Sequence, residues 1–93
     1  MFTKAEYSLF TPQFRIIRTV ENYIEFQSLS TKHCWIIQKH SYSENRPIII
    51  YHKHTQNTPY YHKHWQCRSV KQAIKSISDH DTYVLNTKRS ASK

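Results

Sequence analysis

Residues 48–65 read IIIYHKHTQNTPYYHKHW, and the fold follows from how this stretch is parsed. Tyr51-His52-Lys53-His54 returns ten residues later as Tyr61-His62-Lys63-His64, with Thr55, Asn57, Thr58 and Pro59 between the copies. Asn, Pro and the hydroxyl residues favour a turn, while the β-branched and aromatic residues on both sides favour extended chain. The stretch therefore predicts a two-stranded hairpin. Centred on Asn57, it places His52 opposite His62, Ile50 opposite His64 and His54 opposite Tyr60, with opposed Cβ atoms about 4.5–5.5 Å apart. His52, His54, His62 and His64 then share one face. A slip of one residue would scatter them, because successive side chains of a strand alternate in direction.

Upstream, Phe14, Ile16, Arg18 and Val20 lead through Glu21-Asn22 into Tyr23-Ile24-Glu25-Phe26-Gln27, a period-two pattern that predicts a pair of half-buried strands. Residues 28–32 are rich in Ser and Thr and read as a turn. His33-Cys34-Trp35-Ile36-Ile37-Gln38-Lys39 reads as a third strand, and residues 40–46 as a polar break. Downstream, Ser69 has the character of an N-cap, and Val70, Ala73, Ile74 and Ile77 fall at i, i+3, i+4 and i+7 of a helix of about ten residues. Asp79-His80-Asp81 is expected to end that helix and Thr82-Tyr83-Val84-Leu85 to form a last short strand. Residues 1–12 read as a loosely attached arm and residues 87–93 as a basic, disordered tail. The expected fold is a single small α+β domain over residues 13–86, an antiparallel sheet of about four to five strands with one helix packed on one face.

If odd and even positions stay in step across the strands, the heavier face carries Trp35, Ile37, Ile49, Tyr51, Trp65 and Cys67, with Lys53 and Lys63 near the hairpin tip. That face is expected beneath the helix, with both indoles buried. Cys34, Ile36, Gln38, Ile48, Ile50 and the four histidines are then left on the open face.

A chain of 93 residues has room for one core. Its 14 lysines and arginines against 6 acids give a net charge of +8, and self-repulsion of that size is usually explained by an anionic partner. Glycine is absent, which removes the glycine-rich phosphate loops and dinucleotide fingerprints. Any residue at positive φ is then expected to be Asn, Asp or His. Cys34 and Cys67 have neither redox nor zinc-finger spacing, and no apolar run approaches the roughly 20 residues needed to span a bilayer. The expectation is a cytoplasmic chain with free thiols and no membrane partner.

Between Glu44 and Asp79 there is no acid, while Arg46, Lys53, Lys63, Arg68, Lys71 and Lys75 contribute six positive charges. Cations interleaved with Tyr and His on a sheet suit phosphate contact combined with base stacking. The leading expectation is therefore a non-enzymatic DNA- or RNA-binding module. Arg46, Lys53, Lys63 and Arg68, with the basic tail, would hold phosphates, Lys71 and Lys75 belong to the same nucleic-acid-binding set, and Tyr60, His52, His54, His62 and His64 touch bases or sugars. The alternative is a protein-interaction module that docks an acidic partner or pairs with a second copy of itself. No cofactor or metal is expected, since the histidines lack established zinc-ligand spacings. Catalysis is not expected either, since carboxylates are nearly missing from the histidine-rich segment. At the level of architecture, the strands and single helix of residues 24–77 loosely resemble the three-stranded-sheet-plus-helix DNA-binding domains of the AP2 and integrase-arm types, whose pattern a fourth and fifth strand exceed. That resemblance implies a sheet face set in a major groove.

Overall fold

The structure, a computed structural model, describes residues 2–39 and 45–91, with side chains as far as residue 87. Five strands, β1 (Phe14–Val20), β2 (Tyr23–Ser28), β3 (Cys34–Lys39), β4 (Ile48–Lys53) and β5 (His62–Cys67), form one antiparallel sheet in sequence order. A short helix α1 (Lys4–Tyr7) precedes them and a long helix α2 (Val70–Ala91) follows. The α+β layout is the one the periodicity predicts.

Local chemistry explains the elements. Ser69 caps α2, its hydroxyl accepting the Gln72 N–H at 3.1 Å, while the Gln72 side chain accepts the Arg68 N–H at 2.8 Å. β1 and β2 turn tightly at Glu21-Asn22. In the β2–β3 turn Lys32 takes a φ of 66°, so a lysine fills the position expected of Asn, Asp or His. The turn is closed by the Lys32 N–H on the Ser28 carbonyl at 2.8 Å and the Ser28 N–H on the His33 carbonyl at 2.9 Å. These bonds hold a conformation that costs a residue with a Cβ roughly 1–2 kcal/mol. Lys32→Gly removes that strain but loosens the unfolded chain, so it is expected to stabilise the fold by up to about 1 kcal/mol. A higher urea midpoint checks it.

α2 is longer than predicted. Its 22 residues take up the expected Thr82–Leu85 strand and the part of the basic tail up to residue 91. Helical periodicity continues past Ile77 through Asp81, Val84 and Leu85, which are buried or half-buried. The acids expected to end the helix have partners within it or beside it: Asp79 pairs with Lys75 one turn earlier at 3.1 Å, and buried Asp81 accepts the Thr31 hydroxyl at 3.1 Å. Residues 40–44 of the polar break, and residues 92 and 93 of the expected tail, lie outside the described residues.

The N-terminal arm is docked rather than loose. A capping box between Thr3 and Glu6 starts α1, and the Lys39 ammonium reaches Glu6 at 2.8 Å while lying 5.0 Å over the Phe2 ring. Phe2 is 5% exposed, and Leu9 and Phe10 pack on the same core.

That core lies on one side of the sheet, where Ile24, Phe26, Trp35, Ile37, Ile48 and Ile50 meet Val70, Ala73, Ile74 and Ile77 of α2. Here the expected face assignment is corrected. β3 and β4 pair Trp35 with His52 and Ile37 with Ile50, so odd positions of β3 share a face with even positions of β4. The histidines therefore lie on the helix side, and Ile49, Tyr51 and Lys53 turn to the other. Trp35 is fully buried as expected, but Trp65 on the edge strand is 42% exposed.

Both edge strands carry one extra residue. In β1 it is Ile17, between the pairs Ile16–Phe26 and Arg18–Glu25. In β5 it is His64, because Ile50 pairs with Trp65 and Tyr51 with Lys63. The predicted His52–His62 pair forms at the hairpin tip, whereas Ile50 faces Trp65 instead of His64. A bulge sets neighbouring side chains out of alternation, which is how His64 also reaches the helix side.

Candidate functional site

The helix side of the sheet gathers six imidazoles: His33 ahead of β3, His52 and His54 from β4 and its end, His62 and His64 from β5, and His80 from α2. The ring of His52, 2% exposed, stacks on Trp35 with centroids 4.1 Å apart, and the indole is fixed by its N–H on the Ser28 hydroxyl at 3.1 Å. His33 Nδ1 lies 2.9 Å from His52 Nε2. The ring of His80 is 5.1 Å from that of His52 and 5.6 Å from that of His33, and its buried Nδ1 has no hydrogen-bond partner among the described residues. Burial first, and then the neighbouring His33, His80, His54 and His64, lower the His52 pKa from 6.5 to about 3. His64 is lowered as well, by burial and then by His80 and His62. At neutral pH His52 is an uncharged nitrogen donor. One ligand atom each from His33, His52 and His80 lies within 4.8 Å of the others.

No described helix crosses the opposite side. There Tyr23, Ile36, Gln38, Tyr51 and Tyr61 line a shallow cavity of about 370 Å³. Tyr61 donates its hydroxyl to Glu25 at 2.8 Å, and the Lys53 ammonium sits 4.7 Å over its ring. Burial and the Glu25 carboxylate hold the Tyr61 phenol above its ordinary pKa, so it stays a neutral donor. Arg18 lies 3.8 Å from Glu25, Arg15 donates to Gln27 at 3.0 Å, and Lys63 stands opposite Tyr51 while donating to Gln66 at 3.1 Å. Half-buried tyrosines thus sit among four cations, and Glu25, the acid within the patch, is already engaged by Tyr61 and Arg18.

The residues predicted to form one site are divided among several places. Lys53 and Lys63 lie on the tyrosine side. His52 lies beneath α2, with His54, His62 and His64 exposed around its rim. Tyr60 is 80% exposed in the β4–β5 loop, Arg68 sits at the β5–α2 junction, Lys71 and Lys75 are exposed on α2, and Arg46 is exposed just ahead of β4. Arg15, Arg18, Tyr23 and Tyr61 join the tyrosine side without having been singled out, and His33 and His80 join the histidine side. For His80 the signal was present: it falls three residues after Ile77 on the same helical stripe. Comparison with family models, curated proteins and solved structures finds no match to this chain.

Proposed function

We propose that this chain is a non-enzymatic module that binds single-stranded nucleic acid on the tyrosine side of its sheet. The observation that supports the reading best is the group Tyr23, Tyr51 and Tyr61 around one shallow cavity, flanked by Arg15, Arg18, Lys53 and Lys63. An unpaired base offers a π-face to any such ring, and each base–aromatic stack contributes about 1–3 kcal/mol. Lys53 and Glu25 hold Tyr61 in place before any ligand arrives, which limits the entropy lost on binding. The net charge of +8 adds long-range attraction to a polyanion. Tyr60 and Arg46 extend the contact set beyond the cavity. In this reading the tyrosines replace the histidines as the stacking groups.

Titration of labelled single-stranded DNA, single-stranded RNA and duplex DNA at two salt concentrations tests the proposal. Affinity should be greater for the single strands, with log K falling against log salt at about −0.7 per phosphate neutralised. Tyr51→Ala should weaken single-strand binding by about 5- to 150-fold at an unchanged salt slope. Lys53→Gln combined with Lys63→Gln should instead reduce the slope by about 1.4. Absence of binding at low salt would overturn the proposal. A stable dimer, or capture of an acidic protein, by a chain that ignores nucleic acid would favour a protein-interaction module instead.

A further inference from the structure

We infer that His33, His52 and His80 form a binding site for a first-row divalent cation of the zinc type, held between the sheet and α2. The site is separate from the tyrosine side and does not depend on the function proposed for it. It reverses the expectation of no metal, and two of its three ligands stand outside the repeated hairpin motif.

Four features carry the inference. First, one nitrogen from each imidazole already lies within 4.8 Å of the others. In a tetrahedral shell with bonds of about 2.0–2.1 Å, ligand nitrogens are roughly 3.3 Å apart. The 2.9 Å between His33 Nδ1 and His52 Nε2 is close to that spacing, so modest ring rotations complete it. Second, His80 Nδ1 is buried without a hydrogen-bond partner among the described residues, and a buried polar atom left unsatisfied is costly. A cation at that nitrogen supplies the missing partner.

Third, the ligands are held from behind. The backbone N–H of His33 donates to the Thr31 hydroxyl at 3.2 Å, and that hydroxyl donates to Asp81 at 3.1 Å, tying the entry of β3 to the turn of α2 that carries His80. Trp35 backs the His52 ring. Support of this kind orients ligands before the ion binds. Fourth, the donors are all imidazoles, a set that suits zinc, copper, nickel and cobalt rather than magnesium or calcium. The ring of His64 lies 5.5 Å from those of both His52 and His80, next to the three ligands.

The test uses the full chain, stripped with chelator and titrated with Zn²⁺ and with Co²⁺. One equivalent should bind, Co²⁺ should show the visible absorption of a tetrahedral ion, and Zn²⁺ at a hundred-fold excess over Kd should raise Tm by roughly 10 °C or more. His80→Gln, a change a helix tolerates, should keep the wild-type circular dichroism and lose the cobalt band. The double variant His54→Gln/His62→Gln removes exposed imidazoles and should keep both stoichiometry and band. The proposal is overturned if the wild type takes up no ion saturably, if His80→Gln binds as well as the wild type, or if the double variant loses binding.

Discussion

Replacing Trp35 with alanine is expected to destabilise the domain by on the order of 3–5 kcal/mol, a large share of the roughly 5–15 kcal/mol that holds folded domains together. The indole is fully buried at the centre of the sheet, between Phe26 on β2 and His52 on β4. Its loss empties a large volume and also strips the buried Ser28 hydroxyl of the donor that reaches it at 3.1 Å. Trp65→Ala should cost only about 1 kcal/mol, because that side chain is 42% exposed and faces a surface groove lined by Gln72, Lys75, Ser76 and Asp79. Urea titrations of the two variants give the comparison. Equal losses would contradict the assignment of Trp35 to the core and Trp65 to the edge.

The second large effect is loss of stability in mild acid, stated for the metal-free chain. The folded state lowers the His52 pKa from 6.5 to about 3, so between those values the unfolded chain takes up a proton that the folded chain excludes. Stability is therefore full above about pH 6.5 and falls as pH drops toward 3. One excluded proton contributes about 1.4 kcal/mol per pH unit, or roughly 2 kcal/mol by pH 5. The groups packed around His52 are His33, His54, His62, His64 and His80, with Asp81 next to His80 and bonded to Thr31. His64, lowered in the same direction, adds to the loss. Urea midpoints in chelator between pH 7.5 and 4.5 should decline steadily, and His52→Gln should flatten the decline. A level wild-type profile would show that the cluster admits protons freely while folded.

Much of the fold is legible in the sequence because its signals are local. Alternation in β2, the threonines, Asn57 and Pro59 of the hairpin loop, the Ser69 cap and the stripe from Val70 to Ile77 each need only a few neighbouring residues. The face assignment is not local. In Ile48-Ile49-Ile50 and Trp35-Ile36-Ile37 apolar side chains point both ways, so period-two reasoning carries no phase, and the phase is seen only in how β3 pairs with β4. A shift of one residue there exchanges the side chains of β4 and of the hairpin tip between the two sides, while the extra residue His64 leaves Trp65 and Cys67 on the helix side. That is why the histidines move inward while Tyr51, Lys53 and Lys63 move outward. The long helix was hidden for a different reason: Asp79 and Asp81 look like a stop until Lys75 and Thr31 are found beside them, and Thr31 lies fifty positions away in the chain.

The extra residues Ile17 and His64 have a consequence for how copies of this protein meet one another. An open sheet of five strands leaves two margins, β1 and β5, which have no neighbouring strand among the described residues and whose outward N–H and C=O groups can template a strand from another molecule. Both margins are interrupted. An incoming strand would find at most three successive residues of regular ladder, residues 14–16 or 18–20 on one side and 65–67 on the other, before the pleat breaks. Each interruption adds local twist, which works against the flat stacking that growing cross-β assemblies require. In a glycine-free chain rich in isoleucine and tyrosine, these two interruptions oppose extension of the sheet from either rim.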